Sequence, residues 1–233
     1  MEYTVRESTR SKRARLQLSR REGLVVVIPK GYDHRRILTL LERNKKWIER
    51  ITRRIQAQDL LRPKQDDGVP ERVVLDAIGE DWPVDYRATE SLRVAAAESD
   101  GKRLLVYGNI QDTCACKAAL KSWLKRKMQI HLVPDLEDLA REKGITLRRI
   151  MVRAQKTRWA SYSKQRTVSL NLKMLFINRD LIEHIFIHEL CHTVHMNHSA
   201  RFWALVQKIE FDYKEKNAAL RAAWRLIPTW LDM

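Results

Sequence analysis

Residues 186–203 read FIHELCHTVHMNHSARFW, and between His188 and His198 they hold four of the seven histidines in the chain. The stretch belongs to a helix. Asn178 stands where an N-cap belongs, and Asp180 and Glu183 follow in the first turns, where the positive end of the helix dipole favours acidic groups. Ile182, Ile185, Phe186, Ile187 and Leu190 surround the histidines with apolar side chains, so this helix is expected to be deeply packed. Two imidazoles and a carboxylate in such a setting are costly unless they are paired or metal-bound.

His188 and His192 are four residues apart and therefore share one helix face, the separation at which two imidazole nitrogens reach one zinc ion at about 2 Å each. Glu189 lies one residue on, roughly 100° around the axis. This is the H-E-x-x-H arrangement of zinc hydrolases, in which the Glu takes a proton from water. A catalytic zinc ordinarily has three protein ligands. His195 lies seven residues from His188, and on an unbroken helix it falls on a line with the first pair. His198 escapes that line if the helix stops near Met196, with Asn197 in the left-handed conformation and Ser199 capping the next helix, ARFWALVQKI. His198 is therefore the favoured third ligand, with Glu210 or Glu215 as the alternatives. His184, one turn upstream, reads as a core or surface residue.

Outward from this run, TVSLNLKML alternates Val168, Leu170 and Leu172 with Thr167, Ser169, Asn171 and Lys173, the pattern of a half-buried strand. Asp112 is expected to cap a long helix with Ala119, Leu120, Trp123, Leu124 and Met128 on one side, interrupted near Pro134 and stopped at Gly144. Cys114 and Cys116 in its first turns point about 200° apart, which suits small buried residues better than a metal pair. Residues 72–108 read as a small antiparallel sheet with reversals at Gly79 and Asp100-Gly101. Residues 60–71, LLRPKQDDGVPE, read as a linker or long loop and as the best internal boundary of the chain. Before it, a hairpin turns at Gly23, and a helix capped by Asp33 carries the stripe Ile37, Leu40, Leu41, Trp47, Ile48, Ile51 and Ile55.

Composition bounds the function. The 233 residues are 44% apolar with seven Trp, enough for a substantial core, and three cysteines make no disulfide framework. The opening MEYTVRESTRSKRARL has no apolar signal region, and no run spans a bilayer, so a soluble protein of the cytoplasm without membrane partners is expected. A net charge of +16 points to an anionic partner such as a nucleotide or nucleic acid, with +10 of it in residues 1–62. Three functions fit these features: a zinc hydrolase acting on peptides, the same site acting on a nucleotide phosphoanhydride, and a basic nucleic-acid-binding module with a structural zinc.

The sequence resembles the YgjP-like metal-dependent hydrolases, a minimal zincin-type metallopeptidase family similar to the SprT-like and WLM-type proteases. The resemblance runs over the N-terminal hairpin and Trp47 helix, RWASYS at Arg158 to Ser163, SLNLKML, HELCH and MNHSARFW. It implies an α+β fold, with a β-rich N-terminal region and basic helix over 1–108 and a zincin-like domain over 109–233. That domain would pair a helical core and the H-E-x-x-H helix with an antiparallel sheet. It also implies Zn2+ held by His188, His192 and His198, with Glu189 as base and a peptide or protein as substrate. His195, Tyr162 and Arg158 are the candidates for steadying the oxyanion. Ala160 stands where the family usually has Gly, which predicts an altered loop if that Gly serves a special turn. The strand around Ser169 and Asn171 is expected at the sheet edge, where a peptide adds as a further strand.

Overall fold

The structure, a computed structural model, describes residues 2–9, 11–19, 23–60 and 68–232. The chain forms two compact units, residues 1–64 and 65–233. In the first, β2 (Arg15–Ser19) and β3 (Gly23–Ile28) form the expected hairpin, and β1 (Thr4–Glu7) joins the other edge of β3 in parallel. Its continuous apolar run makes β3 the buried centre, and Val26 and Ile28 pack on Ile37. The stripe expected on one helix occupies two, α1 (Arg36–Arg43) and α2 (Lys45–Leu60). Asn44 separates them: its Nδ2 donates to the Leu40 carbonyl at 2.8 Å, in competition with helix continuation. Asp33 accepts from the Arg35 N–H just before α1 and does not occupy its N-cap position. Within the expected linker, residues 61–67 lie outside the described residues.

The second unit opens with β4 (Arg72–Leu75), β5 (Glu80–Ala88), β6 (Ala95–Ser99) and β7 (Arg103–Gly108), ordered β4-β5-β7-β6. Gly79, at φ +62, turns β4 back on β5, as its position in the sequence predicts. The sheet is mixed and not purely antiparallel, because β5 and β7 run parallel while β6 crosses to the outside. Its inward residues Val73, Leu75, Trp82, Leu104 and Val106 share one core with α3 (Thr113–Glu142) and with residues such as Trp159, Leu170, Ile185, Leu220 and Trp230 further along the chain. The compact units divide at 64/65, inside the stretch expected as the internal boundary, and the 72–108 sheet lies in the second unit.

Asp112 caps α3 by accepting from the Ala115 N–H at 2.9 Å. The helix runs through Pro134 without interruption, since the buried stripe Trp123, Leu124, Met128, Leu132, Leu136 and Ala140 continues past the ring on one face. Packing on that stripe outweighs the lost N–H. Cys116 is buried as expected, whereas Cys114 is exposed. A second mixed sheet follows: β8 (Arg149–Arg153), β9 (Ala160–Tyr162) and β10 (Thr167–Asn171), ordered β8-β10-β9, with β8 parallel and β9 antiparallel to β10. Thus β10 is central and buried on both faces, and β8 and β9 are the two edges. The strand pattern ends at Asn171, where a 3-10 turn over Leu172–Phe176 begins. Three helices complete the unit: α4 (Arg179–Cys191), α5 (Ala200–Ile209) and α6 (Tyr213–Ala223). Among the described residues no helix is long and apolar enough to cross a membrane.

Candidate metal centre and its cleft

Asn178 caps α4 by accepting from the Leu181 N–H at 3.0 Å. The apolar residues of α4 then bury in two directions. Ile182, Ile185, Phe186 and Leu190 enter the main core, while Ile187 and Cys191 pack with Phe202 and Val206 of α5. The helix ends at Cys191, five residues before the expected Met196, and Asn197 is not left-handed. Side chains close it: Thr193 Oγ1 donates to the Leu190 carbonyl at 2.6 Å, and the N–H groups of Thr193 and Val194 reach back only three residues. His192, as C-cap, keeps right-handed helical dihedrals and so stays in line with His188, their ring centroids 5.1 Å apart.

Beyond the turn the chain returns. His198 arrives from the side, its Nε2 at 2.9 Å from that of His188. Ser199 occupies the N-cap position of α5 without a side-chain hydrogen bond. One nitrogen from each of His188, His192 and His198 lies within 4.8 Å of the others. Ligand atoms at about 2 Å from a tetrahedral ion are roughly 3.3 Å apart, so this donor set fits zinc after small adjustments. His192 Nδ1 lies 2.9 Å from the His195 carbonyl oxygen, which assigns the proton to Nδ1 and leaves Nε2 as the ligand atom. Fully buried Phe202 stacks on His192 and touches His188 and His198 edge-on, and Trp203 stacks on His198. These aromatics hold the rings in place. Burial, reinforced by His192, His198 and His184, pushes His188 down to about 3, and burial lowers His198 as well, so both rings are neutral and ready to coordinate near pH 7.

Glu189 is 6% exposed and accepts a backbone hydrogen bond from Tyr162 on β9. Its Oε2 is buried without a partner. Burial pushes this carboxyl up to about 7, against the opposing pull of the Tyr162 N–H and the Arg158 charge. A cleft of about 440 Å³ is lined by Arg158, Tyr162, Glu189, His188, His192 and His198, together with Asn217 and Leu220 of α6. Ala160 lies in extended β9 without a positive φ, a conformation that accommodates its Cβ. The His195 ring does not line the cleft. What His195 brings to the site is its carbonyl.

Two residues that the sequence leaves unconnected belong together here. His184, wholly buried on the cleft wall, pairs through Nδ1 with Glu210, and Lys216 reaches the other Glu210 oxygen at 2.7 Å. Glu210 is thus committed to His184 and Lys216 and is no metal ligand; Glu215 is exposed and also outside the cluster. For Lys216, partial burial works against the charge, but Glu210 and Asp212 outweigh it and hold the pKa above the ordinary lysine value. The sequence offered a signal for this pair: His184 lies one turn from His188 on the buried side of α4. Asn217 carried no such signal.

Three convergent imidazoles beside a buried, half-satisfied carboxylate, set between a helix and a sheet edge, are what a metallopeptidase domain requires. Residues 12–223 match the family model described as YgjP-like, metallopeptidase domain, and the chain belongs to that family. Among solved structures, the metallopeptidase zymogen of Pyrococcus abyssi abylysin is similar at 27% identity and a TM-score of 0.33, over 37% of this chain and 89% of that one. No curated protein matches the chain.

Proposed function

We propose that the protein is a zinc-dependent metallopeptidase in which His188, His192 and His198 hold the ion and Glu189 is the general base. One juxtaposition carries this reading: the three imidazole nitrogens within 4.8 Å of one another, and on the same cleft wall the partnerless Oε2 of Glu189. Zinc, when bound, supplies a Lewis acid that acidifies water and polarises the scissile carbonyl. Glu189 Oε2 accepts the proton of the attacking water and passes it to the departing amide nitrogen, and its burial keeps it basic enough to do so near neutral pH. Arg158 and Tyr162, on the same wall, supply donors for the developing oxyanion.

The substrate edge is β9, not the strand around Ser169 and Asn171. Asn171 N–H bonds the Trp159 carbonyl and Ser163 N–H bonds that of Thr167, so alternate residues of the edge face β10. The backbone groups of Ala160 and Tyr162 face the other way; the Tyr162 N–H serves Glu189, and the rest are open to an extended peptide. A structural zinc would call for a fourth protein ligand, and among the described residues the cluster is three histidines.

The test is Glu189→Gln on a zinc-loaded preparation, with a fluorogenic peptide mixture and a nucleotide panel. Wild type should carry about one zinc and cleave peptides, while the variant keeps its zinc and loses at least about 100-fold in turnover. Equal turnover would remove the base assignment. Hydrolysis confined to nucleotides would replace the substrate class.

A further inference from the structure

Between Arg148 and Arg166 the chain carries seven Lys or Arg and no Asp or Glu. Each of these cations is exposed, and none has an ion-pair partner among the described residues. This contrasts with the β4–β7 sheet, where Arg72 pairs with Asp81 and Arg103 with Asp85. The cations are also ordered by the strands that carry them. In β8, Ile150 and Val152 pack on the core, so period-two alternation turns Arg149, Met151 and Arg153 outward. The Arg148 N–H donates to the Arg166 carbonyl at 2.9 Å, which joins the start of β8 to the β9–β10 turn holding Lys164. At the opposite end, Asn171 Nδ2 donates to the carbonyls of Gln155 at 2.8 Å and Arg158 at 2.6 Å. The loop bearing Lys156 and Arg158 is thereby pinned beside Arg153, the register partner of Asn171.

Both ends of this sheet are therefore positive, and β9 lies between them. Its Ala160 end follows the loop that carries Lys156 and Arg158, and its Tyr162 end leads into the turn that carries Lys164 and Arg166, whereas Arg148, Arg149 and Arg153 belong to the far side of the sheet, across β10. We propose that this cationic rim selects polypeptide substrates with acidic residues flanking the bond to be cut. The inference rests on the peptidase reading above and names its substrate class. A peptide paired with the three residues of β9 covers roughly 10 Å of it, so its next residues on either side meet the two cationic ends. Like charges set side by side repel, and carboxylates laid between them relieve that repulsion. Nucleic acid would also answer to positive charge, but Lys156, Arg158, Lys164 and Arg166 stand at the two ends of the strand beside the cleft, where the peptidase reading places a polypeptide.

The experiment uses the full zinc-loaded chain with Glu189→Gln, so that binding is read without turnover. The probes are a fluorescein-labelled glutamate-rich dodecapeptide and its counterpart with every Glu replaced by Gln, followed by anisotropy. The acidic peptide should bind about tenfold tighter at low salt, the sum expected of two or three exposed ion pairs, and the preference should fade as salt rises. Replacing Lys156, Lys164 and Arg166 together by Ser should reduce it to about twofold with zinc content unchanged, each lost pair removing a small share. Lys156→Glu with Lys164→Glu should favour a lysine-rich peptide, while Lys156→Arg with Lys164→Arg keeps the acidic preference.

Equal binding of the two peptides, or a preference that survives the Ser and Glu variants, overturns the proposal. So does tight duplex DNA binding with no peptide preference. Peptide hydrolysis by the wild type without an acidic preference defeats the rim alone; an acidic preference in binding without hydrolysis upholds the rim and defeats the peptidase reading.

Discussion

His192 gives one ring nitrogen to a backbone carbonyl and keeps the other for a ligand, and its partner is the residue whose own ring stands aside from the cleft. Mutation separates these roles. His195→Ala keeps the carbonyl, so zinc affinity should stay within about threefold of wild type, whereas His198→Ala removes a ligand and should lower it by at least about 100-fold. A competition titration against a chromophoric chelator measures both. The sequence indicated His188 and His192 through their i, i+4 spacing, and His198 through the need for a ligand off the helix line. It did not indicate that Glu210 belongs to His184, because 26 residues separate them and only the packing of α4 against the segment after α5 brings them together. Glu210→Ala leaves a buried imidazole and Lys216 without their carboxylate, and urea melts should record a loss of roughly 3 kcal/mol.

Elements whose boundaries rest on a capping side chain were legible: Asp112 and Asn178 each accept the N–H expected of them. Boundaries set by competition were not. Asn44 splits an apolar stripe that reads as one helix, and Thr193 ends α4 early through its own hydroxyl, both local bonds that periodicity does not register. The half-buried reading of β10 failed similarly, since Ser169 and Asn171 look outward by alternation yet are buried by the loop that Asn171 itself holds. That side chain also starts the following 3-10 turn, with Oδ1 accepting from the Lys173 N–H at 3.2 Å. Asn171→Ala would leave two carbonyls without their donor and should cost about 2–3 kcal/mol. The freed loop carries Arg158, so the variant's peptidase activity should show a raised KM as well as a lower urea midpoint.

At the scale of the molecule, the α+β class could be read from periodicity and the division of the chain from the Pro- and Gly-containing stretch 60–71, but strand direction could not, since it depends on which distant segments share a core. The packing of α3 on the β4–β7 sheet has one charged residue at its centre. Lys127, 6% exposed, places its ammonium 2.8 Å from Glu80 and 3.0 Å from Glu98, over the Trp82 ring. The indole N–H groups of Trp82 and Trp123 donate to the same two carboxylates at 2.7 and 2.8 Å. For Glu80, burial raises the pKa, yet the hydrogen bonds from Lys127 and Trp82, with the charges of Lys127 and His131, hold it below the ordinary glutamate value. A depressed carboxylate contributes stability above its unfolded pKa, about 4.3, and that contribution is lost as the pH falls through the lower folded value. Lys127→Met removes the main source of the depression and leaves Glu80 facing the sheet without its cation. It should therefore cost about 2 kcal/mol at pH 7, less than for a fully buried pair because Glu98 is half exposed, and the difference from wild type should narrow as the pH falls below about 4. Urea melts of both proteins at pH 7 and pH 3.5 check this, and an unchanged difference would mean that Lys127 stabilises the sheet through its packed methylenes and not through its charge.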